Sequence, residues 1–254
     1  MAKNVKFSSE SMKRGENMRN FVGKKLFFSS FIILLFFIFS APKLNAEVST
    51  YQIDTPTHEM LDYGSYDADF RFFTNGGVLS RFSFGVFDIL NLGVGWELEN
   101  FIGTQSIIIS PPSMYFKVKP FEGGMVLPAI AIGYDGQGYF YDKDSGEYAQ
   151  KEKGLFVVFG REIFFPYFNL NLGFNINDYQ ESKILSFLNF DYEIEESLML
   201  LVELDDLGSS DDPRFNFGVR FYVAEDLAIC IAGRDTISDR AAERIANIKY
   251  TGRF

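Results

Sequence analysis

The sequence predicts an all-β chain: about twelve antiparallel strands in an up-and-down meander, closed into a transmembrane β-barrel and preceded by a cleavable signal peptide. Three observations predict it. After residue 46, apolar and polar residues alternate with a period of two in run after run, and no long segment carries a 3.6-residue period. Most runs extend over ten to thirteen residues, whereas soluble strands average about five or six and a tilted bilayer-crossing strand needs about 9–11. The connections alternate short and long, as in barrels with short periplasmic turns and longer external loops.

The leader comes first. Leu26 to Phe39 is a continuous apolar run, too short for a comfortable spanning helix of roughly 20 residues. Lys3, Lys6, Lys13, Arg14, Arg19, Lys24 and Lys25 precede it, and a short stretch ending on Ala46 follows. That is the basic, apolar and small-residue order of a secretory signal, with cutting expected between Ala46 and Glu47. The domain reading is therefore 1–46 signal peptide, 47–59 N-terminal periplasmic segment and 60–254 outer-membrane barrel.

The strands are predicted at 60–73, 78–88, 91–101, 112–120, 125–137, 153–163, 167–178, 183–194, 197–206, 214–224, 226–235 and 243–254. The seventh shows the logic most cleanly: Phe168, Leu170, Leu172, Phe174 and Ile176 share one face, and Asn169, Asn171, Gly173, Asn175 and Asn177 the other. The tenth repeats it, with Phe215, Phe217, Val219 and Phe221 against Asn216, Gly218 and Arg220. Short turns follow the even-numbered strands and longer polar loops the odd ones, apart from the tight Thr74–Gly77 turn. An even strand number puts both termini in the periplasm. Tyr115, Tyr134, Tyr139, Tyr192, Tyr222 and Tyr250 sit near strand ends, where interfacial girdles gather aromatic rings.

The last strand explains why the chain finishes on a bare phenylalanine. A closed barrel leaves no sheet edge in lipid, so the final strand must pair with the first. Ala246, Ile248, Tyr250 and Phe254 share its apolar face, with Gly252 a small departure. Ile248, Tyr250 and Phe254 resemble the C-terminal signal by which bacterial outer-membrane barrels are passed to their insertion machinery, which becomes an expected partner together with outer-membrane lipids.

Composition excludes other classes. Without the leader, 16 basic residues face 32 acidic ones, a net charge of −16 that argues against nucleic acid. The single cysteine, Cys230, allows no internal disulfide. The chain's one histidine, His58, precedes the first strand, and neither a Gly-x-Ser-x-Gly elbow, an HExxH pair nor a phosphate loop is present. A turn or plug histidine is a far commoner role than a catalytic base. The reading is not an enzyme, with no cofactor and no metal site. The acidic stretch from Asp135 to Glu147 lacks EF-hand spacing and reads as a solvated loop.

If the polar face of each strand turns inward, the candidate lumen-lining residues are Arg71, Arg81, Glu97, Lys117, Arg161, Glu203, Arg220, Arg234 and Lys249. Two arrangements are open at this level. The charges could line an aqueous path and select solutes. Alternatively they could lock to one another, or to the segment Glu47–Glu59, and close a narrow lumen.

The stretch from Pro56 to Gly103, followed by Pro111 to Gly138 with its Pro-Ala-Ile-Ala-Ile-Gly-Tyr-Asp strand at 128–135, resembles the YjbH-like outer-membrane barrel proteins. The resemblance extends over essentially the whole chain after the leader. It implies an association with exopolysaccharide production or export, makes polysaccharide a candidate partner, and transfers no catalytic residue. The functional expectation is an outer-membrane channel or export-associated barrel for small polar solutes or exopolysaccharide. Its alternatives are a structural or adhesive barrel with a filled lumen and acidic loops, and, further off, a lipid-acting enzyme built on His58.

Overall fold

Residues 49–254 are described by the structure, a computed structural model, apart from Met125, Glu152, 164–165, 178–182, 195–196, 209–212 and 238–241. The expected signal peptide lies outside the described residues, as do Glu47 and Val48.

The strands are β1 (Ser65–Phe73), β2 (Gly77–Phe87), β3 (Leu90–Glu99), β4 (Ile108–Ile109), β5 (Ser113–Phe121), β6 (Ala129–Asp135), β7 (Gly138–Asp142), β8 (Glu147–Lys151), β9 (Gly154–Glu162), β10 (Phe168–Ile176), β11 (Leu185–Ile194), β12 (Leu198–Leu207), β13 (Arg214–Ala224), β14 (Leu227–Arg234) and β15 (Glu243–Arg253). Twelve of them form one antiparallel sheet in the order β2-β1-β15-β14-β13-β12-β11-β10-β9-β6-β5-β3, and β2 pairs with β3 to close the ring. The two-residue β4 hangs beside β3 at the long-loop end. β7 and β8 form a separate hairpin within the connection from β6 to β9. The transmembrane antiparallel meander expected from the alternation is the fold observed.

Closure runs through β1 and β15, in register from Ser65↔Arg253 to Phe72↔Ala246. The backbone N–H of Phe254 donates to the Gly64 carbonyl at 3.0 Å, and its ring stacks on Phe84 with an interplanar angle of 11°. The terminal residue is thus bound into the seam. Ile248, Tyr250 and Phe254 all point outward and are exposed.

The outer surface carries an apolar belt. Phe70, Phe84, Leu92, Phe116, Ile132, Leu155, Leu172, Phe174, Leu200, Phe217 and Ile231 are all exposed. A water-soluble monomer rarely leaves apolar residues exposed in so continuous a band; around a ring of fully paired strands they form a lipid-facing surface. Inward positions are polar around much of the circumference but not all of it. Ala131, Phe156, Val158 and Phe187 make a dry patch on the β6–β9–β11 wall.

Three aromatic residues expected in the girdles are inside instead. Tyr115, Tyr139 and Tyr222 are buried. Their parity along the strand or hairpin outweighs the preference of a tyrosine ring for the interface, and the lumen offers each hydroxyl or ring a polar neighbour.

Candidate functional site: a lumen closed by the chain's own N-terminal hairpin

Of the segment expected as periplasmic, 47–59, the described residues begin at Ser49, at the short-turn end of the barrel beside Tyr222, Asp226 and Thr251, and run into the lumen. It folds back as a hairpin. Tyr51 bridges Pro56, the Gln52 N–H donates to the Thr55 carbonyl at 3.0 Å, and the Thr57 N–H donates to the Thr50 carbonyl at 3.1 Å. Every residue from Thr50 to His58 is buried. The described part of the segment is therefore a plug inside the lumen, the second of the two arrangements the sequence left open.

Glu203 of β12 holds the hairpin tip. Its carboxylate, 0% exposed, accepts from the backbone N–H groups of Ile53 (2.7 Å), Asp54 (3.1 Å) and Thr55 (3.1 Å), from the Thr55 hydroxyl (2.7 Å) and from Asn216 Nδ2 (3.0 Å). Three successive backbone N–H groups converging on one anion form a nest, supplied here by the plug and filled by the wall. Ile53, 1% exposed, packs against the lumenal apolar cluster that includes Leu201, Ala232 and Ile245.

Asp54 makes the reciprocal contact. Arg71 Nη1 lies 2.7 Å from its Oδ1, and Arg234 Nε lies 2.6 Å from its Oδ2. Burial alone would raise this carboxyl; the guanidiniums of Arg234 and Arg71 outweigh it and hold the carboxylate well below its ordinary range. Arg71 also donates to the Ile53 carbonyl and to the Tyr139 hydroxyl.

Two further cations serve plug carbonyls. Arg220 donates to the Tyr51 and Gln52 carbonyls at 3.2 and 2.8 Å. Lys117 Nζ reaches the Thr50 and Thr57 carbonyls at 2.9 and 3.2 Å, bridging both arms of the hairpin. Arg81 lies 4.5 Å over the Tyr51 ring and pairs with Asp135 at 3.0 Å, and the Tyr51 hydroxyl donates to the same Asp135 carboxylate at 2.8 Å. On the neutral wall, Asn189 donates to the Thr55 hydroxyl at 2.7 Å, and Asn171 accepts from the His58 N–H at 3.0 Å. Gly160 makes room for this arm, because a Cβ there would stand 2.0 Å from His58 Nδ1. His58 is thus a plug residue, set between Asn171 and Glu59.

Most of the residues proposed from sequence for the lumen converge here. Arg71, Arg81, Glu97, Lys117, Glu203, Arg220 and Arg234 are buried and inward, and Lys249 pairs with Asp67 at 3.1 Å. Glu97 does not meet the plug; it accepts from the Phe140 N–H at 2.8 Å, under the β7–β8 hairpin. Arg161 is a correction. The inward parity of β9 is Phe156, Val158 and Gly160, so Arg161 points outward, and its guanidinium donates to the Val126 carbonyl at 2.7 Å near the short-turn end. β9 is apolar on both faces, and its alternation therefore gives no sign of which face is inside.

Other lumenal groups escaped the sequence reading. Lys153, 1% exposed, pairs with Asp205 at 2.5 Å, and Arg214 pairs with Asp205 and Asp206. Lys153 sits at the end of a charged loop, which reads as solvated until the loop is seen to fold inward. Tyr139, at 0% exposure, is the anchor of that fold, with the Arg234 guanidinium 4.3 Å above its ring.

No family model matches the chain, and no curated protein matches its sequence. Solved structures match its fold. The KdgM porin superimposes with a TM-score of 0.51 at 10% identity, over 73% of this chain and 98% of the porin. A structure of the KdgM porin in complex with disordered oligogalacturonate gives 0.50 at 10% identity, over 73% and 98%. The NanC porin superimposes more loosely, at 0.40 with 8% identity, over 74% and 99%. The shared feature is the barrel fold.

Proposed function

We propose that this chain is an outer-membrane channel for small polar solutes, closed at rest by its own N-terminal hairpin. The observation that carries this reading is that the barrel is complete without its plug. Each of the twelve strands pairs with two neighbours through the ring, so none of the backbone ladder depends on residues 49–58. Withdrawing the hairpin would leave a closed barrel with a polar interior, the condition for a stable aqueous path across lipid. The porin fold supports the same reading.

The lumen wall mixes signs. Arg71, Arg81, Lys117, Lys153, Arg220 and Arg234 are offset by Asp67, Glu97, Asp135, Asp191, Glu203 and Asp205. Such a wall favours uncharged polyhydroxylated solutes over strongly charged ones. This sets the chain apart from a carrier of polyanions, although one KdgM structure contains oligogalacturonate. The YjbH-like resemblance suggests a related cargo, exopolysaccharide, entering the same path. Delivery by a signal peptide and handover to the insertion machinery through Ile248, Tyr250 and Phe254 complete the proposal, as does a non-enzymatic role.

Swelling of liposomes that contain the full chain tests it. A variant lacking residues 49–58 should admit neutral mono- and disaccharides far faster than wild type, and faster than equally sized charged solutes. A deletion variant that keeps its heat-modifiable gel mobility yet admits no solute would favour the alternative, a filled structural or adhesive barrel.

A further inference from the structure

At the long-loop mouth lies a cavity of about 520 Å³ that no plug residue lines. Its size is within the range of small-molecule sites, roughly 300–1,000 Å³. Phe140 and Gln150 of the β7–β8 hairpin form one side, Asp206 and Arg214 another, and Arg234 and Asp235 a third.

The backbone singles this place out. Six non-glycine residues among those described adopt a left-handed φ, and three of them, Phe140 (59°), Asp206 (53°) and Asp235 (52°), line this one cavity. They come from three separate segments. A phenylalanine in that region has no short polar side chain to offset the cost of the conformation. Strain of this kind persists where surrounding structure fixes a side chain's aim. Asp235 is fixed in this way, its N–H donating to Asn216 Oδ1 at 2.9 Å.

The polar groups are arranged but charge-balanced. Arg214 Nε donates to Asp206 Oδ2 at 2.7 Å, while Asp206 Oδ1 is buried without a hydrogen-bond partner. Arg234 is held by Glu243 at 2.8 Å and by the plug's Asp54 at 2.6 Å. The Gln150 amide, oriented with its oxygen toward both guanidiniums, accepts from Arg234 Nη2 at 2.6 Å and from Arg214. A ligand with its own negative charge would meet Asp206, Asp235 and Glu243 with no uncompensated cation to receive it. A sugar suits the site. Its hydroxyls can donate to carboxylates and accept from guanidinium and amide N–H groups, and its C–H face can cover the Phe140 ring.

We propose that the long-loop mouth is a recognition site for a short neutral saccharide. The inference rests on the channel reading for its purpose, since it names the solute class that the path would receive. Arg234 links the two, because the guanidinium on the cavity wall also holds the plug tip.

Calorimetric titration of the detergent-solubilised full chain with maltotriose, mannotriose and trigalacturonate tests the site without requiring conduction. At least one neutral trisaccharide should bind saturably, with trigalacturonate at least tenfold weaker. Phe140→Ala and, as a gentler change, Asp206→Asn should each weaken that binding at least tenfold, with heat-modifiable mobility reporting that the barrel is intact. Lys143→Ala, at the exposed hairpin tip, should leave binding unchanged. No saturable binding of either neutral sugar, tighter binding of trigalacturonate, or equal loss in the Lys143 and Phe140 variants would each overturn the proposal. Saturable sugar binding by a barrel that stays impermeable after plug deletion would retain the site and discard the channel.

Discussion

Two hairpins enter this lumen from opposite ends, and they are held in different ways. The N-terminal hairpin, 50–57, is buried along its whole length, and its tip is fixed by charge: Glu203 on its backbone N–H groups, Arg71 and Arg234 on Asp54. The β7–β8 hairpin is buried only at its base, through Gln137, Gly138 and Tyr139, while 142–147 are exposed. The first behaves as a fitted plug with polar anchors, the second as a lid with one aromatic foot. Charge-assisted contacts in a closed space are strong when complete and costly when one partner is lost. The plug should therefore release abruptly and the lid should loosen gradually.

The largest effect is expected at Glu203. Glu203→Ala removes the acceptor for three backbone N–H groups and one hydroxyl, at about 1.5–3 kcal/mol for each hydrogen bond to a charged group. Single-channel recording should find the open state at least a hundredfold more populated than in wild type. Gly160→Val comes next. Its side chain would occupy the space of His58, and the same recording should show openings while the gel-shift signature of a folded barrel persists.

Asp54→Asn should open the channel less often than either change, because the tip backbone remains clasped by Glu203 while the arginines lose their counter-charge. Protonating Asp54 has the same sense. Its pKa in the docked state is depressed, so its contribution is present above the ordinary carboxylate pKa of about 3.9 and lost only as pH falls through the lowered value. The Asp54→Asn variant should therefore open more often than wild type at neutral pH and converge with it only in strong acid; convergence already near pH 6 would contradict this role for Asp54. Tyr139→Phe, which removes the hydroxyl that accepts from Arg71, should mainly raise the hydrogen-exchange rate of the β7–β8 hairpin, by a few-fold. Arg161→Ala, on the outer face, should leave open probability unchanged.

The barrel was legible in the sequence because lipid imposes one rule on every strand, and period-two alternation records it. The seam between β1 and β15 followed from the same rule, and Phe254 marked it. The lumen was partly legible: Arg71, Glu203 and Arg234 stand on the parity opposite the apolar outer face of their strands, so their inward aim could be inferred from parity alone. Arg161 failed that test because β9 is apolar on both faces. The plug was harder to see. Thr50, Gln52, Thr55 and Thr57 have the composition of a solvated tail, and only long-range contacts, such as that between Ile53 and Glu203, distinguish a tail from a stopper. Lys153 was missed for a similar reason, since a lysine at the end of an acidic loop gives no local sign that it will pair with Asp205.

The central claim is that the hairpin is a removable closure of an otherwise complete pore. Planar-bilayer conductance of the full chain, recorded beside a variant lacking residues 49–58, tests it most directly. The account predicts a nearly silent wild type and stable unitary steps from the deletion. Equal conductance from the two proteins, or silence from both while the barrel remains folded, would contradict it.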